Sequence, residues 1–112
     1  MDCLFCKFAQ GVIQPKKVYE DDSVLAFHDI NPQAPTHVLV IPKEHVASID
    51  DLRPEQAALA GKLFLAAQAV AKKQGLGKGY RCVVNTGPEA GQTVHHVHLH
   101  LLGGRRLEWP PG

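Results

Sequence analysis

Short apolar runs punctuated by Gly, Pro and Asp occupy the first 42 residues, and apolar positions then recur at helical spacing across residues 54–74. Residues 3–10 (CLFCKFAQ) predict a short helix ended by Gly11. Lys17-Val18-Tyr19-Glu20 predicts a first strand, Asp21-Asp22-Ser23 a tight turn, and Ser23 to Ile30 a second strand. Asn31-Pro32-Gln33-Ala34-Pro35 is a loop, because each proline removes an amide donor and biases the preceding residue away from helix. Thr36 to Ile41 is a third strand, nearly continuous in apolar character and therefore covered on both faces, and Pro42 closes it. The long helix begins near Pro54, whose fixed φ suits a first turn, with Glu55 placed to complement the helix dipole. Leu59, Leu63, Ala67 and Val70 form its buried stripe, Gln56, Lys62, Lys72 and Lys73 lie off it, and Gly75 stops it. Tyr80 to Asn85 and His96 to Leu102 complete the set as strands four and five. Five strands with one long and one short helix, and only the long helix between strands three and four, predict an α+β fold with a mainly antiparallel sheet.

Composition narrows the function classes. The chain has 112 residues, 45% of them apolar, which fits one domain spanning 1–112. Twelve basic against eleven acidic residues give a net charge of +1, so no broad field invites nucleic acid or an anionic membrane. No apolar run approaches the ~18 residues of a membrane helix. Met1-Asp2-Cys3 lacks the basic and apolar regions of a signal peptide, so the expected setting is cytoplasmic and reducing. One count is unusual: of seven histidines, four fall between residues 95 and 100.

On a strand, His96, His98 and His100 share one face, about 6.6 Å apart, while Val97, Leu99 and Leu101 share the other. Three imidazoles in a row are costly to bury unless each ring nitrogen finds a partner. The plainer alternative is a solvated strand face. The chemistry that suits the array is phosphoryl or nucleotidyl transfer without a catalytic metal: a neutral imidazole is a competent nucleophile near neutral pH, and its neighbours can stabilise charge on phosphorus oxygens. Cys3-Leu4-Phe5-Cys6 has the spacing of a metal-binding knuckle, with His45 and His96 as candidates for the remaining ligands; two buried thiols in a small helix are the alternative. Cys82 reads as a packing residue, His28 as structural, and His95 carries no assigned role.

His-Val-His-Leu-His-Leu-Leu at 96–102 resembles the histidine triad (HIT) signature. Ala26-Phe27-His28-Asp29-Ile30, Pro32-Gln33-Ala34-Pro35-Thr36-His37, Val83-Val84-Asn85, Gly91-Gln92 and Trp109-Pro110-Pro111-Gly112 extend the likeness to the Hint branch, the purine nucleoside phosphoramidases. The resemblance implies a hydrolase of nucleoside 5′-phosphoramidates in which His98 attacks phosphorus and forms a nucleotidyl-histidine, releasing AMP or GMP and an amine. It implies that His96, His100 and His37 assist; that Asn85, Gly91, Gln92 and Thr93 hold phosphate oxygens; and that Asp29 binds the ribose hydroxyls. Phe27 and Ile30 would line the nucleoside pocket, with Phe5, Phe8, Ile13 and Leu39 as apolar walls around the base. Relatives of bacterial type with an N-terminal CxxC imply a structural zinc on Cys3, Cys6, His45 and His96. The implied fold is a five-stranded antiparallel sheet with helices on one face. Two subunits would join sheet edges and long helices into a homodimer, and the tail, 103–112, would reach the partner's site and bury Trp109; a frayed tail with an exposed Trp is the alternative. Two other functional readings stay open, a nucleotide-binding regulatory module and a dinucleoside polyphosphate hydrolase, the latter disfavoured by Gly103-Gly104-Arg105 and the Trp-Pro-Pro tail.

Overall fold

A computed structural model describes residues 3–112, so the expectation drawn from Met1 and Asp2 lies outside the described residues. The elements follow the alternation of the sequence. Helix α1 (Leu4–Ala9) precedes β1 (Lys17–Glu20), β2 (Val24–His28) and β3 (Thr36–Pro42). Helix α2 (Ala57–Lys73), β4 (Tyr80–Val83) and β5 (Leu99–Gly103) follow. The five strands form one sheet in the order β1-β2-β3-β5-β4, and every neighbouring pair is antiparallel.

Period-two alternation sorts the strand residues onto two faces. Val24, Ala26, Val38, Val40, Leu99 and Leu101 point to one side, where they pack on Leu63, Ala66, Ala67, Val70 and Ala71 of α2. Leu25, Phe27, Leu39 and Ile41 point to the other, where they pack on Cys3, Phe5 and Cys6. Both faces of the central strands are therefore dry, as the continuous apolar run 36–41 requires. Each fully buried aliphatic on them contributes about 1.5–3 kcal/mol. The two helices thus lie on opposite faces, whereas the family resemblance implied one. The cause is the parity of the strand residues that each helix meets. Where β5 passes the end of α2 the approach is close: a Cβ on Gly103 would sit 2.8 Å from Leu76 Cδ1, so any side chain there would displace the Leu76 side chain.

Three element ends differ from expectation. Gln56, expected on the polar side of the long helix, is buried in a 3-10 turn, Pro54–Gln56, that precedes α2. Its Oε1 accepts the Arg53 amide at 2.9 Å, and its Nε2 lies 3.3 Å from the Glu44 carboxylate. Strand β4 stops at Val83, two residues short of Asn85. Strand β5 begins only at Leu99, because its ladder with β3 ends at the Val40–Leu99 pair. Beyond that pair β3 offers Pro42, which has no amide, and the Val97 amide is donated to Val46 O at 2.6 Å instead. His96 and His98 are therefore held by a bent segment rather than by a regular strand.

The tail folds back on its own chain. Arg81 Nη2 donates to Glu108 O at 2.9 Å, and its guanidinium lies 6.0 Å from the Trp109 ring centroid. Trp109 nevertheless remains 79% exposed. Among the described residues, no helix is long and apolar enough to cross a membrane.

Candidate functional site

The α1 face of the sheet carries a cleft of about 990 Å³. Its walls include Phe5, Phe8, Ile13, Phe27, Ile30 and Leu39, and Asp29 and His37 lie at the polar end. These are eight of the residues assigned to the pocket or site from sequence, and the fold brings them together from α1, the loop after it, β2 and β3. Aromatic edges organise the floor, with Phe5 and Phe8 each presenting a ring edge-to-face with Phe27 at centroid distances of 5.4 and 5.0 Å. His28 lines the same cleft and is exposed, which the structural role expected for it does not describe. Residues Asn85, Gly91, Gln92 and Thr93 do not line this cleft.

Next to His37 lie the two C-terminal histidines of the triad. His37 Nε2 is 2.9 Å from His100 Nδ1, and the His98 and His100 rings stand 5.0 Å apart in an edge-to-face arrangement. The protonation pattern follows from donors whose identity is certain. The Gln33 backbone amide donates to His37 Nδ1 at 3.0 Å. A neutral His37 must then carry its proton on Nε2, which donates to His100 Nδ1 and lies 3.4 Å from Asp29 Oδ2. His100, accepting on Nδ1, carries its proton on Nε2. His37 and His100 therefore form a hydrogen-bonded relay with the Asp29 carboxylate beside it; a cation on His37 Nε2 would require that proton to be lost.

Burial keeps the two relay imidazoles neutral. Burial first, then the neighbouring His98 and His37, drives the His100 imidazole down to about 4. Burial also lowers His37, with Asp29 opposing the shift. His98 is fixed by a different partner. It is buried, and its Nδ1–H donates to the main-chain oxygen of His96 at 2.8 Å, leaving Nε2 as the unprotonated nitrogen. The Phe5 ring stands edge-on to it, at 5.3 Å between centroids.

His96 turns away from its two companions. Sequence alternation put all three rings on one strand face, but the bend before Leu99 sends the His96 ring into a separate cluster with Cys3, Cys6 and His45. His96 Nδ1 is 3.5 Å from each cysteine sulfur and 3.2 Å from His45 Nδ1, and Cys6 Sγ is 3.3 Å from His45 Nδ1. All four donor atoms lie within 4.8 Å of one another. Tetrahedral zinc with ordinary bond lengths would separate its ligand atoms by about 3.3–3.8 Å, nitrogen pairs at the short end and the two sulfurs at the long end. The donor set, two sulfurs and two imidazole nitrogens, suits zinc as well as the spacing does. The groups around the donors agree: His96 Nε2–H donates to Pro42 O at 2.8 Å, which leaves Nδ1 as the ligating nitrogen, and the Cys6 amide donates to Cys3 Sγ at 3.4 Å. Burial and the adjacent Cys3 raise the Cys6 thiol, so a pair of thiolates here calls for a cation. The four residues form a structural Cys2His2 site of the kind that holds zinc.

Gln92 and its loop serve as scaffold around this cluster. Gln92 Oε1 accepts the Gly87 amide at 3.0 Å, and Nε2 donates to Ala47 O at 2.8 Å and Val94 O at 3.1 Å. Gly91 closes the turn at φ +87°, a backbone shape that an L side chain would strain. Thr93 is exposed, Asn85 half-buried. The backbone relay through Gln33 and the scaffolding by Gln92 carried no signal in residue spacing, since both depend on which main-chain groups the loops present.

The HIT domain family matches residues 10–107. A 14 kDa zinc-binding protein of Zea mays is 48% identical over 97% of this chain and 87% of its own length. The crystal structure of a HIT family hydrolase from Legionella pneumophila superposes with a TM-score of 0.97, at 51% identity, over 99% of this chain and all of the other. A histidine triad nucleotide-binding protein of Candida albicans superposes with a TM-score of 0.82 at 31% identity, over 97% of this chain and 83% of the other. With the triad, the cleft beside it and these matches together, the chain belongs to the HIT domain family.

Proposed function

We propose that the protein hydrolyses nucleoside 5′-phosphoramidates, with His98 as the nucleophile. The observation that carries this reading is the His98 Nδ1–H bond to His96 O, which leaves Nε2 free to act as a base-form nucleophile beside the apolar cleft. In this reading a purine ring packs between Phe5, Phe8, Phe27 and Leu39, which line the cleft, and Asp29, which lines it too, binds the ribose hydroxyls. In the first step the Nε2 lone pair forms a bond to phosphorus while the P–N bond breaks. The departing amine takes its proton from solvent, while neutral His100, whose Nδ1 accepts from His37 Nε2–H, keeps its own Nε2–H to donate a hydrogen bond at the reacting centre. In the second step water attacks phosphorus, the Nε2–P bond breaks, and the water proton passes to solvent. Products are AMP or GMP and an amine, and the base and ribose are gripped while the amine side stays open.

His96 contributes through its main-chain oxygen, since both of its ring nitrogens are committed elsewhere. Bound zinc would neutralise the thiolates and cross-link α1 to the segments around His45 and His96. Asn85, Gly91 and Thr93 remain the proposed phosphate contacts, reached from the loop that Gln92 braces.

A homodimer belongs to the same reading. Phe64 and Leu65 stand 60% and 65% exposed on the outer side of α2, and β4 is a free sheet edge that carries the exposed Cys82. A second copy would cover both through a self-complementary interface, with each tail near the other's cleft. Rapid denaturing quench at alkaline pH, where a histidine P–N bond survives, of the enzyme mixed with adenosine 5′-phosphoramidate, followed by intact-mass analysis, tests the mechanism. The expected product is an adenylyl adduct that maps to His98; turnover without any adduct, or an adduct elsewhere, overturns it.

A further inference from the structure

The zinc cluster and the nucleotide cleft share a wall. Phe5 lies between the two cysteines on α1, a six-residue helix too short to hold itself in water. Its ring is buried, and it touches both kinds of histidine: His96 of the metal cluster at 5.9 Å and His98 at 5.3 Å between centroids. Leu4, Phe5 and Phe8, three of the six residues of α1, line the cleft. The second link runs through the main chain. His96 gives its ring to the cluster and its carbonyl oxygen to His98 Nδ1. The residues that would bind the metal therefore flank the cleft wall at Phe5 and, through the His96 main-chain oxygen, hold the His98 ring.

We propose that metal and nucleotide binding are thermodynamically coupled through Phe5, which acts as a positioning residue for His98. Resting on the nucleotide-cleft reading above, the inference adds regulation of that site by metal loading. With the cysteines unligated, α1 keeps its packing on Leu25, Phe27, Leu39 and Ile41 but loses the cross-link through the metal, and the wall and the His98 ring lose a shared restraint. Linkage makes the effect reciprocal: whatever factor zinc adds to nucleotide affinity, the nucleotide adds to zinc affinity.

Calorimetric titration of AMP into zinc-loaded and chelator-treated protein, with circular dichroism to follow the fold, is the first measurement. Chelator competition for zinc with and without saturating AMP is the second. AMP affinity is expected to fall by about tenfold without metal, within the usual range of coupling, and zinc affinity to rise by the same factor with AMP. Equal AMP affinity in the two folded forms overturns the proposal. If the metal-free chain unfolds, the zinc competition is compared between wild type and Phe5→Leu. Coupling that arises from global folding alone would be the same in both, and that result also overturns the proposal; coupling reduced at least about threefold in Phe5→Leu, with zinc still bound, supports it. Failure of AMP to bind the loaded wild type would instead strike the nucleotide reading itself.

Discussion

His98 Nδ1 donates to the main-chain oxygen of His96 at 2.8 Å, while the His96 ring points into a cluster with two cysteines and His45. Two adjacent triad histidines thus divide the work, one exposing a free Nε2 and the other linking that nitrogen's orientation to a metal site.

The first prediction concerns that free nitrogen. His98→Ala removes the proposed nucleophile together with its hydrogen bond to a main-chain oxygen and its ring contacts with Phe5 and His100. Phosphoramidate turnover should fall by at least about three orders of magnitude, as for other variants that lose a covalent nucleophile. The far-UV spectrum should stay unchanged, and AMP affinity should change by less than about tenfold. Steady-state kinetics beside AMP titration separates the outcomes, and retained turnover would exclude His98 as nucleophile.

Much of this arrangement was legible in the sequence, and the departures have physical causes. Alternation of Leu99 and Leu101 against His100 held because β3 supplies a complete ladder there. It failed at His96 because Pro42 ends that ladder and Pro42 O captures the His96 ring. Spacing placed Leu63, Ala67 and Val70 in the core, yet it could not tell that Gln56 and Gln92 would be buried, since their partners are a distant carboxylate and three main-chain groups. The side of the sheet taken by α1 was not legible either. Six residues carry too little periodicity to fix a face, and α1 settles where Phe5 and Cys6 meet Leu25, Phe27, Leu39 and Ile41.

Metal removal should destabilise the fold. With zinc about 1,000-fold above its dissociation constant, linkage contributes about 4 kcal/mol, or roughly 15 °C in Tm for a chain of this size. Thermal unfolding with and without a chelator measures it, as does Cys6→Ser, which removes one ligand. A melting temperature that does not respond to chelation of zinc-loaded protein would mean that the four donors carry no stabilising cation.

Core and surface substitutions should separate cleanly. Leu101 is fully buried between β3, β4 and α2, so Leu101→Ala should cost about 2–5 kcal/mol in denaturant unfolding. Leu65→Glu on the outer side of α2 leaves that core untouched. In a homodimer that buries Leu65, the charge should convert a species of twice the chain mass into a monomer in sedimentation velocity. Wild type that sediments as a monomer at micromolar concentration would remove the dimer from the proposal.

The relay predicts a pH dependence whose sign is fixed. Unfolded histidine titrates near about 6.5, whereas folded His100 titrates at about 4 because burial and the neighbouring His98 and His37 disfavour its charge. Between those values the unfolded chain binds more protons than the folded one, so stability rises with pH. The contribution of His100 is therefore complete above about 6.5 and is lost as pH falls towards 4. His37 acts in the same direction, since burial lowers it too. The metal cluster also binds protons in acid, so the informative quantity is a difference between proteins. Urea unfolding at pH 7, 6 and 5 should show a shallower loss of stability in His100→Asn than in wild type. Parallel curves would mean that the acid sensitivity comes from other groups and that His100 gains its proton as readily folded as unfolded.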